Sequence, residues 1–213
     1  NSGGVSYASY IDLDGTSDYV STPDSATNSV TTTIDLITKI APNDWTPAAN
    51  STIISKSNVT GNQKSIYLEL EPGGTLRINA SSDGSASALE RSSASTGFTN
   101  GTAHWVRVTI NTTTGDVKFY TSDETDYPAS WSQLGSTQTS SISGMFDTTA
   151  AWVLGGRDTG VNSELTGKVY YGEVLNGIGG TAVARFNASI GSDPTYDNIA
   201  GETDWTNTGG TPG

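Results

Sequence analysis

From Ile66 to Ile78, apolar residues fall at every second position on either side of a turn: Ile66, Leu68 and Leu70, then Glu71-Pro72-Gly73-Gly74, then Leu76 and Ile78. Successive side chains of a strand point to opposite faces, so this spacing puts all five on one face of a hairpin. A second hairpin follows the same rule. Val106, Val108 and Ile110 alternate with Trp105, Arg107 and Thr109; a turn over Asn111–Gly115 then leads into Val117 and Phe119, with Lys118 and Tyr120 opposite. Ile34, Leu36, Thr38 and Ile40 line one face of a strand predicted over 32–41. Further strands are predicted near 51–56, 131–139, 150–156, 166–176 and 181–187, and a closing one within 201–206. No stretch sustains the i, i+3, i+4, i+7 spacing of an amphipathic helix. Many short strands separated by Gly and Asn predict an all-β, antiparallel two-sheet β-sandwich of jelly-roll type, one domain over 1–213. No repeat of fixed period is present, which argues against a propeller.

Only 33% of the residues are hydrophobic and 15% charged, with Ser, Thr, Asn and Gly making up the balance. Disordered chains usually combine high charge with few aromatic residues. Here five Trp and nine Tyr recur within alternating runs, and β-branched Thr suits a half-exposed pleated face. The net charge of −12, with ten scattered Lys and Arg, excludes binding to nucleic-acid phosphates, which needs clustered cations. No cysteine is present, so there is neither a disulfide framework nor a thiolate metal site. No apolar run approaches the ~20 residues of a membrane-spanning helix, and no membrane insertion is expected. No signal-peptide pattern is present. A start at Asn1 and a Gly-rich end lead us to expect a processed piece or part of a longer chain. Composition suits work outside the cell. Asn-x-Ser/Thr occurs at Asn50, Asn58, Asn79, Asn100, Asn111 and Asn187, close to the chance expectation for so Ser- and Thr-rich a chain, so glycosylation is not expected.

The N-terminal segment Tyr10–Val20 reads as two short strands joined by a tight turn, with Asp14-Gly15 supplying the residue that tolerates positive φ. It resembles the opening of concanavalin A-like (laminin G-like) β-sandwich domains, where a strand ending in Asp-Gly leads into Asp-Tyr-Val. Three later segments carry the resemblance over most of the chain: Gly101–Ile110, around His104-Trp105-Val106; Trp152-Val153-Leu154-Gly155-Gly156; and Thr166–Val174. Tyr120-Thr-Ser-Asp123 ahead of a Trp, and Lys168-Val-Tyr-Tyr171 with Asn176-Gly-Ile-Gly-Gly180 after it, are most similar to virion domains of tailed bacteriophages, in head-decoration or minor tail proteins. The resemblance implies a surface domain that binds or decorates, outside the cell on a virion. Its partners would be other virion proteins or identical copies, and cell-surface carbohydrate. Many sandwiches of this type hold a structural calcium; no other cofactor is implied.

Catalytic branches of that superfamily carry Glu-x-Asp-x-x-Glu on one strand, so that two carboxylates share a cleft. No such string occurs, and the nearest same-face pairs, Glu69 with Glu71 and Asp12 with Asp14, lack a third member. No catalytic activity is expected, and a polysaccharide hydrolase is the least favoured reading. His104 is the lone histidine. With no Gly-x-Ser-x-Gly elbow, its expected role is to orient a strand end. Calcium takes oxygen ligands, for which Asp123-Glu124-Thr125-Asp126 and the Asp14/Asp18 turn are the acidic candidates; no ligand set is assigned. Sugar binding needs an exposed ring on which the sugar's CH face stacks, with polar groups for its hydroxyls. The candidates are Trp45 in the loop Asn43–Pro47, Trp105 and Arg107 on the outward face of a central strand, and Tyr127 in the loop 122–130. Trp131 is expected to pack beneath its own turn.

Overall fold

The computed structural model describes residues 9–158, 163–189 and 204–213. Its strands, in chain order, are β1 (Ile11–Asp14), β2 (Tyr19–Thr22), β3 (Ile34–Pro42), β4 (Ser51–Asn58), β5 (Gln63–Leu70) and β6 (Leu76–Ala80). They continue with β7 (Ala88–Arg91), β8 (His104–Asn111), β9 (Asp116–Ser122), β10 (Ser132–Gln133) and β11 (Gln138–Thr139). The last five are β12 (Trp152–Leu154), β13 (Thr166–Asn176), β14 (Thr181–Asn187), β15 (Thr206–Thr208) and β16 (Thr211–Pro212). No helix occurs among the described residues, and hence none long and apolar enough to cross a membrane.

These strands form two antiparallel sheets. The first runs β10-β9-β8-β3-β13-β1-β16, with β11 also on β9 and β14 on β13; the second runs β15-β2-β12-β4-β5-β6-β7. The alternation read from the sequence becomes a shared interior. Leu36, Val106, Val108, Phe119 and Val169 of the first sheet meet Ile54, Leu68, Leu70, Ile78 and Leu154 of the second in one buried cluster. Each such side chain contributes roughly 1.5–3 kcal/mol of burial free energy. Thr38 lies in the same row as Leu36 and Ile40, and its buried Oγ1 has no hydrogen-bond partner.

Two expectations need correction. The Tyr10–Val20 segment is not a hairpin: β1 belongs to the first sheet and β2 to the second. Asp14 Oδ1 accepts from the Thr16 amide and Asp18 Oδ2 from the Asp14 amide, and the corner, with Gly15 at φ +78°, carries the chain across the sandwich so that Leu13 and Val20 both point inward. The strand predicted over 131–139 is two short bridges to β9, Ser132↔Thr121 and Gln138↔Val117. Gly135, at φ +73°, turns the chain out between them. Of the closing strand expected within 201–206, residues 201–203 lie outside the described part. Trp205 is buried, β15 pairs with β2, and a further short strand, β16, pairs with β1.

Every residue of β3 is buried. On its inner side lies the core just described. On its outer side Ile37 joins Trp105, Tyr171 and Leu175 in a second apolar cluster, with Trp131 and Ala182 against it. Over that face folds the connection from β9 to β10, residues 123–131, which bonds to Trp105, Lys39 and Glu173. We call this segment the strap.

Candidate functional site

The strap is pinned along its length. Asp123 Oδ1 meets His104 Nδ1 at 2.7 Å, and Trp105 Nε1 donates to the Glu124 carbonyl at 2.8 Å. Lys39 Nζ donates to the Thr125 carbonyl at 2.6 Å, and the Tyr127 hydroxyl donates to Glu173 Oε2 at 2.8 Å. Within the strap, the Glu124 carboxylate accepts from the amides of Ala129 and Ser130 and from the Ser130 hydroxyl. Those bonds favour its charged form and hold its pKa below the ordinary carboxylate value.

Beneath and beside the strap lies a rigid set of ion pairs. Arg107 donates from Nε and Nη2 to the two oxygens of fully buried Asp35, at 2.8 and 2.6 Å. This two-point bond raises the guanidinium pKa. Its Cζ lies 5.2 Å from the ring centroid of Tyr120 and 5.4 Å from that of Trp131, within the range of cation–π attraction. Arg185 donates from Nε and Nη2 to Glu173 Oε1. Burial opposes the charge on Arg185, but Tyr171 and Glu173 outweigh it and its pKa is raised. Burial, then the nearby Glu173 charge, drives the Tyr127 phenol well above its ordinary pKa, so it stays a neutral donor. The rings of Trp105, Tyr127 and Tyr171 pack edge to face at 5.3–5.8 Å.

Three of the four residues singled out from sequence, Trp105, Arg107 and Tyr127, are thus brought together. Trp45 is not. It is fully buried, with Nε1 donating to the Thr102 carbonyl at 3.0 Å and its ring edge-on to Phe98 at 4.9 Å. The loop that carries it tucks inward, so Trp45 is a core residue and no platform. Trp105 faces outward as expected but is sealed beneath the strap, fully buried, so it supports the surface without reaching a ligand. Tyr127 is 37% exposed, and Tyr120 and Trp131 are half-buried. Trp131 stands beside Arg107 and against the Ile37–Trp105–Tyr171–Leu175 cluster. Sequence reasoning missed Asp35, Tyr120, Trp131, Glu173 and Arg185 as members of this face. Strand parity could have found some of them: Glu173 shares a face with Tyr171, and Asp35 with Ile37. The resulting surface offers partly exposed rings held in fixed orientation beside charged groups, which suits stacking on a sugar with hydrogen bonds to its hydroxyls.

Other candidates were resolved locally. Glu69 and Glu71 point to one face, and both pair with Arg77. Asp14, Asp18 and Glu124 give oxygens to backbone amides of their own turns, and Asp123 to His104. Among the described residues no three His, Asp or Glu side chains converge as a metal would require. A shallow cavity of about 250 Å³ between Ser82, Ser87 and Ser141 holds Asp83 at its rim. The Ser85 and Ala86 amides lower the pKa of Asp83 to about 2, so that carboxylate too serves its turn. His104 stacks on Phe98 with ring centroids 3.6 Å apart and joins Thr102 to Asp123, the strand-end role expected of it. Asn79 and Asn187 are buried, which removes them as glycosylation acceptors.

No family model and no curated protein sequence matches the chain. Solved structures do. A proposed carbohydrate-binding protein from Bacteroides ovatus superposes with a TM-score of 0.68 at 11% identity, over 99% of this chain and 60% of that one. This chain therefore spans about three-fifths of that protein's length. The CBM40 of the Ruminococcus gnavus IT-sialidase, bound to α2,3-sialyllactose, gives 0.51 at 14% identity over 77% of this chain and 88% of its own. Domains LG4-5 of the mouse laminin α1 chain give 0.50 at 12% identity over 78% and 40%. At such identities the likeness establishes the fold, the two-sheet lectin-like sandwich.

Proposed function

We propose that this chain is a non-catalytic adhesion domain that binds glycans through the strap-covered outer face of its first sheet. The observation that carries the reading is Tyr127: an exposed ring, locked by its hydroxyl to Glu173, beside Trp131 and Tyr120, which flank Arg107. A ring fixed before binding loses little conformational freedom when a sugar stacks on it. Two of the similar structures are described as carbohydrate-binding or sugar-bound, which supports the reading at the level of ligand class. The setting proposed is extracellular, on the surface of a bacteriophage virion, in a head-decoration or minor tail protein. Its neighbours there would be other virion proteins or identical copies. The sequence resemblance is what supports that setting.

The test is a glycan array followed by titration of any hit. Tyr127→Ala and Trp131→Ala should each weaken binding about tenfold, as loss of a stacking ring does in well-packed sites, while Trp45→Phe should leave affinity unchanged. An array without hits, or hits indifferent to both ring deletions, would refute the site. Detection of the protein in purified virions, or its absence from them, decides the setting separately.

A further inference from the structure

The outer face of the second sheet gathers three of the chain's five arginines. Glu69 of β5 lies opposite Arg77 of β6, and Arg77 opposite Arg91 of β7. Arg157, just after β12, reaches back over this face. Together they form a line of alternating charge. Arg157 Nε lies 3.9 Å from Glu69 Oε1; Arg77 Nε is 2.8 Å from Glu69 Oε2; Arg77 Nη1 is 3.2 Å from Glu71 Oε1; Arg91 Nε is 2.8 Å from Glu71 Oε2. Three cations and two anions leave this patch positive on a chain of net charge −12.

The middle of the line is saturated and the two ends are not. Arg77 serves both glutamates and faces the side-chain amide of Asn50. Arg91, with its side chain 51% exposed, bonds only through Nε. Arg157, with its side chain 19% exposed, gives a single hydrogen bond, from Nη2 to Ser163 Oγ at 3.0 Å; its Nε is buried without a hydrogen-bond partner, so its exposed edge is the Nη side. Its guanidinium lies 4.6 Å above the Tyr67 ring. Tyr67 on β5 is in register with Asn79 and Leu89, and Arg91 lies two residues beyond Leu89 on β7. Two partly open guanidinia held on one sheet face suit a polymer with repeated carboxylates better than one isolated anion, because linked contacts reinforce one another. The interior pairs hold both guanidinia in place, so little side-chain entropy is lost on binding.

We propose that this face binds an acidic polysaccharide of the polyuronate class, with Arg91 and Arg157 as its carboxylate donors and Tyr67 and exposed Leu89 as the apolar floor. The site is independent of the strap face.

The experiment is calorimetric titration with hexagalacturonate, its methyl ester and a neutral glucose hexamer. The free acid should bind, more tightly at low ionic strength, and the ester and the neutral hexamer should not. Arg91→Ala and Arg157→Ala should each cost about tenfold, the worth of a charged hydrogen bond. Both should fold, since Glu71 and Glu69 each keep Arg77; thermal melting checks this, and Arg91→Gln provides a milder second variant. Tyr127→Ala should change nothing here, which separates this site from the strap face. No binding of the free acid, equal binding of its ester, or indifference to both arginine changes would overturn the proposal.

Discussion

Arg107 reaches diagonally across the β3–β8 ladder to clamp both oxygens of Asp35, a carboxylate with no solvent exposure. Removing one partner of a buried pair strands the other, at a cost of about 3–5 kcal/mol. Arg107→Ala should destabilise the protein by that amount in urea denaturation. Asp35→Asn should cost less, since the amide oxygen can still accept from the Gly179 amide, which now donates to Asp35 Oδ2. Equal stability of wild type and Arg107→Ala would mean that the pair adds nothing.

Thr38 carries a buried hydroxyl without a partner inside an otherwise apolar row. Such a group costs about 1–3 kcal/mol relative to a satisfied one. Thr38→Val keeps the shape and removes the polar atom, so the melting temperature should stay level or rise. A drop of several degrees would show that the hydroxyl is satisfied in solution.

The strap should loosen in acid. The pKa of Glu124 is depressed in the folded state by the Ala129 amide first, then by Ser130. Its contribution is therefore complete above its unfolded value and is lost as pH falls through the lower folded value. Trp fluorescence followed from neutral to strongly acid pH should show a transition of the 123–131 segment below the ordinary glutamate range. Glu124→Gln should remove that transition and leave the strap weaker at neutral pH.

Gly167 has φ +133°, and a Cβ there would sit 2.4 Å from the Ala41 carbonyl oxygen and 2.8 Å from the Asn43 amide. Both neighbours are backbone and cannot swing aside. Gly167→Ala should cost more than the ~1 kcal/mol typical of a strained Gly replacement, measured by denaturation. Gly61→Ala provides the comparison: its φ is +73° but nothing lies within 4 Å of the added carbon, so backbone strain alone is read there.

Strand parity was legible wherever a run was long enough to alternate. Ile66, Leu68, Leu70, Leu76 and Ile78 all face the core as their spacing implied, and so do Val106, Val108 and Ile110. What parity cannot say is which sheet a strand joins: the turn at Asp14-Gly15 looks the same whether it closes a hairpin or crosses the sandwich. Nor does it say where a loop lies. Trp45 and Tyr127 both sit in polar loops, yet one is sealed by Phe98 and the other stands on the surface, because that outcome depends on packing partners far away in sequence. The ion pairs of the site, Asp35 with Arg107 and Glu173 with Arg185, join residues on different strands, and register decides them.

The two sheets stand back to back, with the strap on one exterior and the arginine line on the other. Whatever docks on one side cannot shadow the opposite side. A molecule anchored through Tyr127 and its neighbours would turn Arg91 and Arg157 toward whatever lies beyond, so one copy has the geometry of a rivet between two layers.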